Sequence, residues 1–201
     1  MFSGQIEFAR NKERTRAQQF HHRVDEFLTL RSLIAEDAEE LFSLTEANRA
    51  SLRQWLPWLD DNTTADHTLA YIQRTHANAE ANRELVAAIC YEGAIAGVVG
   101  IHALDWNNRS GSVGYWLGQA YRGKGLMTRA CKAILDYGFT DLALHRIEIR
   151  CAPRNIRSCA IPERLGFTYE GTLRDAENLY GQFVDHKVYA MLQPEWSGWA
   201  D

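Results

Sequence analysis

Apolar and polar positions change period several times along the chain, and each change marks an element. Phe27-Leu28-Thr29-Leu30-Arg31-Ser32-Leu33-Ile34 predicts a strand. From Glu36 to about Leu56 the spacing becomes helical, with Ala38, Leu41, Phe42, Leu44 and Thr45 recurring on one face and Asp37 and Glu39 near the positive end. Trp55-Leu56-Pro57-Trp58-Leu59 breaks that helix. A second helix follows over 64–83, presenting Leu69, Ile72 and His76 on one side. The segments 84–91 and 95–104 then flank Glu92-Gly93 as a β-hairpin, and 110–118 is a third strand of the same kind. Residues 125–140 return to a helical stripe of Met127, Cys131, Ile134 and Leu135. A strand over 146–151, a short helix over 156–165 and two strands over 167–170 and 183–192 complete the order β-αα-βββ-α-β-α-ββ. That order predicts one α/β domain with a mixed sheet over 24–195. Residues 1–23 are polar and aperiodic, and read as a flexible arm or cloning leader; 196–201 read as a C-terminal tail.

Composition narrows the function classes. A chain of 201 residues with 46% hydrophobic and 11% aromatic content has ample material for a core. No apolar run approaches the roughly 18 residues a membrane span needs, so no membrane partner is expected. Lys and Arg total 22 against 26 Asp and Glu, a net charge of −4, which argues against nucleic acid as a direct partner. A local basic cradle for one small anion is still compatible with it. Cys90, Cys131, Cys151 and Cys159 form no CxxC pair and read as small buried hydrophobes with reduced thiols, the cytoplasmic pattern. The histidines and cysteines lack metal-ligand spacing, so no metal is expected.

The most informative stretch is Tyr115-Trp116-Leu117-Gly118-Gln119-Ala120-Tyr121-Arg122-Gly123-Lys124-Gly125-Leu126, a strand entering a glycine-rich turn that opens a helix. Glycines there let the backbone approach an anion, and a helix N-terminus supplies free N–H groups and a positive dipole. Gly118, Gly123 and Lys124 fit most of a P-loop, but Gly125 stands where the Mg²⁺-binding hydroxyl must be. The dinucleotide motif G-x-G-x-x-G fails at Thr128. A phosphate site without a metal is what these residues leave.

This turn, with Asn155-Ile156-Arg157-Ser158 and Arg164-Leu165-Gly166-Phe167 after it, resembles the GNAT superfamily of acyl-CoA-dependent N-acetyltransferases. Leu52-Arg53-Gln54-Trp55-Leu56-Pro57-Trp58 and Glu177-Asn178-Leu179-Tyr180-Gly181 extend the resemblance to its RimJ/RimL branch, the ribosomal-protein N-terminal acetyltransferases. The resemblance spans about residues 25–195. It implies a mostly antiparallel mixed sheet flanked by helices, with splayed central parallel strands at Tyr115–Gly118 and Arg146–Cys151. It also implies acetyl-CoA as cosubstrate, held by Arg122, Gly123, Lys124, Gly125 and Leu126, with a backbone N–H near Leu117 polarising the thioester carbonyl. The family pattern wants Gln or Arg where this chain has Ala120, a loss that backbone binding should tolerate.

Amine acetylation needs a base for the ammonium, a site for the oxyanion and a proton for the departing thiolate. Many GNAT enzymes use a tyrosine acid at the position that is Pro162 here, which excludes it. Ser158 is the expected substitute, one turn after Asn155, which caps the short helix and is placed to bond the cofactor's amides. The resemblance assigns Glu177 as base, in a linker between the last strands beside an apolar, Trp-rich mouth. Asp175 and Asp185 are weaker candidates, and Glu148 reads as structural. The acceptor pocket is expected around Asn107-Asn108-Arg109 and Leu179–Gln182, beside Trp55 and Trp58. The implied acceptor is a protein N-terminal amine, with a small amine or a non-catalytic CoA-binding module as alternatives; a homodimer is left open.

Overall fold

The computed structural model describes residues 20–198. Eight strands form one sheet: β1 (His21–Arg23), β2 (Leu28–Ser32), β3 (Leu85–Tyr91), β4 (Ala94–Asp105), β5 (Ser110–Leu117), β6 (Arg146–Cys151), β7 (Thr168–Leu179) and β8 (Gln182–Leu192). Their spatial order is β1-β2-β3-β4-β5-β6-β8-β7, antiparallel except for the parallel β5–β6 pair. The helices are α1 (Ala38–Ala47), α2 (Arg49–Leu52), α3 (Ala65–Glu80), α4 (Leu126–Thr140) and α5 (Ile156–Arg164). The expected mixed, mostly antiparallel α/β architecture is the one observed.

Both faces of the sheet centre are buried, which explains the unbroken apolar run of β3. Leu85, Ala87 and Ile89 pack toward α4, while Val86, Ala88 and Cys90 pack with Leu41 of α1 and Ile72 of α3. The β3–β4 turn places Glu92 at φ 51° and Gly93 at φ 85°, the left-handed pair that a two-residue hairpin requires. All four cysteines are buried and free.

Four expectations differ from what is seen. The single helix over 36–56 is broken at Asn48, whose side chain donates back to the Leu44 carbonyl at 2.8 Å and accepts from the Gln119 N–H at 2.7 Å. The buried face of α3 is Thr68, Ile72 and Thr75, with Leu69 only partly covered. Chain placed in the N-terminal arm joins the sheet: His21–Arg23 pair with β2, and buried Phe20 meets Tyr137 edge-on at 4.9 Å. The remainder of that arm, 1–19, and 199–201 of the tail lie outside the described residues. Finally, Arg174–Leu179 is no linker but the second half of the edge strand β7. No described helix is long and apolar enough to cross a membrane.

Candidate active site

Strands β5 and β6 pair only over Ser110–Ser112 and Arg146–Glu148. Beyond that β5 continues to Leu117 and β6 to Cys151 without pairing to each other, so the sheet opens into a wedge. Gly118 N–H donates to the Ala96 carbonyl on β4 at 2.8 Å. Alternation along the strand then turns the Leu117 N–H and C=O toward the wedge.

A cavity of about 870 Å³ fills this opening, lined by Tyr115–Leu117 of β5, the turn after it, the first turn of α4, one face of α5, and Ser51, Leu52 and Gln54–Leu56. Gly123 and Gly125 take φ 78° and 70°, and a Cβ at either would meet no atom within 4 Å. The turn therefore needs glycine for its backbone and leaves open the space a side chain would fill. Gly125 is the N-cap of α4, and the N–H groups of Leu126, Met127 and Thr128 precede the first helical bond, from Arg129 to Gly125. Arg122, Arg129, Arg157 and Arg164 line the cavity and no carboxylate does, so an acidic chain encloses a cationic pocket. Burial lowers the pKa of Arg122, and the neighbouring Arg157 lowers it further, the mark of cations crowded for an anion. The donors and the cavity fit a diphosphate-bearing ligand such as acetyl-CoA.

Of the sequence-predicted residues, Leu117, Arg122, Gly123, Gly125, Leu126, Asn155 and Ser158 all stand on this cavity. Lys124 does not line it; its ammonium lies 5.0 Å from the centre of the Tyr91 ring. Asn155 caps α5, its Oδ1 accepting from the Ser158 N–H at 3.3 Å. Glu177 is off the cavity wall, on β7, with Oε2 2.9 Å from Nε2 of His186 on β8. Asp185 Oδ1 accepts from the Asp175 N–H at 2.9 Å. Glu148 is ion-paired with Arg150 and Arg146.

The two loops expected around the acceptor part company. Asn107–Arg109 precedes β5 at the end away from the glycine turn, roughly 26 Å off by strand rise. It is therefore no part of this site. The β7–β8 tip instead reaches the cavity's helical wall: the Tyr180 hydroxyl donates to the Arg53 carbonyl at 2.7 Å, and the Arg53 guanidinium stacks 4.2 Å from the Tyr180 ring centre. Trp55 lines the cavity, whereas Trp58 does not. Residues missed in the sequence are Arg129, Arg157, Arg164, Tyr115 and His186. Arg157, Ile161 and Arg164 recur at i, i+4 and i+7, which marks them as one face of α5. Among the described residues no group of three or more His, Cys, Asp or Glu is placed to hold a metal ion.

Residues 28–168 match the acetyltransferase (GNAT) domain model. YdaF of Bacillus subtilis (strain 168), named as a candidate ribosomal N-acetyltransferase, is 35% identical over 89% of this chain and 98% of its own. The ribosomal-protein-serine acetyltransferase of Escherichia coli (strain K12) is 26% identical over 85% of this chain and 95% of its own. The solved structure of RimL, the ribosomal L7/L12 alpha-N-protein acetyltransferase, in complex with coenzyme A superposes with a TM-score of 0.83 at 27% identity, covering 86% of this chain and 98% of that one.

Proposed function

We propose that this chain, which belongs to the GNAT acetyltransferase family, moves an acetyl group from acetyl-CoA to the N-terminal amine of a ribosomal protein. It is an acyltransferase, and acetyl-CoA is its cosubstrate. The observation that carries the reading is the carboxylate-free cavity lined by four arginines, with a left-handed glycine turn in its wall and Ser158 in the wedge. The protein acceptor is supported by relatives named for ribosomal proteins. Their setting also supports a cytoplasmic location.

Acetyl-CoA supplies an activated thioester, so no acyl-enzyme is needed. The N–H groups of residues 123–128 and the arginines hold its phosphates. The Leu117 N–H faces the wedge, where it can stabilise a developing oxyanion. Asn155 bonds the pantetheine arm, and the Ser158 hydroxyl gives its proton toward the departing sulfur. Glu177, backed by His186, takes the amine's proton from the side of the β7–β8 hairpin, through water across the gap to the cavity wall.

Labelled acetyl-CoA offered with ribosomal-protein N-terminal peptides and with polyamines tests the acceptor. Transfer to a peptide α-amine is the expected result. Transfer confined to small amines moves the chain to small-molecule acetylation, and binding without transfer to any amine leaves only a CoA-binding module.

A further inference from the structure

A proline inside a helix denies a hydrogen bond to the carbonyl four residues earlier. In α5 that proline is Pro162 and the carbonyl belongs to Ser158. The carbonyl is nevertheless satisfied, because the Tyr115 hydroxyl, reaching from β5 across the wedge, donates to it at 2.9 Å. The same phenol oxygen lies 3.5 Å from Ser158 Oγ, which donates toward it. Burial pushes the Tyr115 pKa well above its ordinary value, so the phenol keeps its proton at every working pH.

A phenol has one proton and spare lone pairs. Since the proton is committed to the carbonyl, Tyr115 can only accept from Ser158. We propose that Tyr115 is a positioning residue for Ser158: it replaces the helix bond Pro162 removes, fixes the first turn of α5 at the wedge, and draws the serine proton away from its own helix. A serine in a helix otherwise bonds back to the carbonyl three or four residues before it, where its proton serves no acid role. Tyr115 is therefore not itself the acid, although it lines the cavity. The inference rests on the reading of Ser158 as proton donor.

Four variants test it: Ser158→Ala, Tyr115→Phe, the two combined, and Tyr115→Phe with Pro162→Ala. Tyr115→Phe should lower kcat about tenfold or more while leaving KM for acetyl-CoA within about twofold, since misplacement of a reacting group is costly. It should also lower Tm by about 4 °C, because the Ser158 carbonyl is left bare. The combination with Ser158→Ala should be no slower than Ser158→Ala alone. Pro162→Ala restores a backbone N–H to that carbonyl, so Tyr115→Phe/Pro162→Ala should regain Tm but not kcat. Recovery of both would make Tyr115 a purely structural prop and end the proposal. A full-speed Tyr115→Phe beside a slow Ser158→Ala sinks the proposal alone, whereas a full-speed Ser158→Ala sinks the reading of Ser158 beneath it.

Discussion

Gly123→Asp isolates the anion cradle from the rest of the fold. Nothing lies within 4 Å of the Cβ it introduces, so the folded apoprotein suffers no clash. Its backbone must hold an L-residue at φ 78°, which costs about 1 kcal/mol. For a chain of this size that lowers Tm by about 2–4 °C. The effect on binding is far larger. The carboxylate would face a phosphate at about 4 Å, worth about 4 kcal/mol at an effective dielectric of 20. Affinity should therefore fall about 10³-fold. With acetyl-CoA at about 100 times its Kd the wild-type chain gains about 2.7 kcal/mol, a rise in Tm of about 5–10 °C. The same concentration is about a tenth of the variant's Kd, and the gain falls to about 0.1 kcal/mol or less, no visible shift. Gly123→Ala carries the backbone strain without the charge and should keep part of the shift. Thermal scans of the three proteins with and without ligand decide the matter. A folded Gly123→Asp variant with the wild-type shift would place the diphosphate elsewhere.

Other expectations concern the base, the metal and the Arg31–Asp37 ion pair. Glu177→Gln should keep acetyl-CoA affinity and lower kcat/KM by about 10²-fold; an unchanged rate would point to Asp175. Exhaustive EDTA treatment should leave activity intact, because no described His, Cys and carboxylate set stands at ligand geometry, and loss with recovery on zinc or magnesium would contradict this. Burial raises the pKa of Asp37, but the Arg31 guanidinium and the Ile34 N–H outweigh it and hold the carboxyl below its usual range. Stability from this pair is thus complete above about pH 4 and lost as pH falls through the lower folded-state value. Asp37→Asn should cost about 2 kcal/mol at neutral pH, between exposed and fully buried pairs, and remove that acid dependence from denaturant melts.

What the chain disclosed about its fold follows from where the information resides. The run Leu85–Tyr91, the Glu92-Gly93 turn and the stripe of α4 are local patterns, and each was readable. The break at Asn48 was not, because its side chain joins Leu44 of its own helix to Gln119, 71 residues on. Thr68 and Thr75 looked polar in sequence, yet both are buried with their hydroxyls satisfied, Thr75 by the Ile72 carbonyl at 2.7 Å and Thr68 by Asn62 at 3.0 Å. The second half of β7 has no alternation to find, since Arg174, Asp175 and Ala176 of this edge strand are all exposed and only Leu179 at its end is buried.

The candidate site divides along the same line. The glycine turn was legible because its demands are those of backbone and helix terminus, and both are written in consecutive residues. Arg129 and His186 were not: Arg129 takes its place through Asp25, far back in the chain, and His186 meets Glu177 only because Arg174–Leu179 is a strand paired with β8 rather than a linker. Tyr115 falls between. Pro162 is a visible violation of helix rules, and it announces that the Ser158 carbonyl must find a donor outside α5. Tyr115, facing that helix across a gap in the sheet, supplies one. The gap exists because β5 and β6 share just three register pairs before diverging. Sequence thus poses the need at Pro162, and the splayed strands determine that a tyrosine on β5 meets it. A local defect and a global opening of the sheet converge on Ser158.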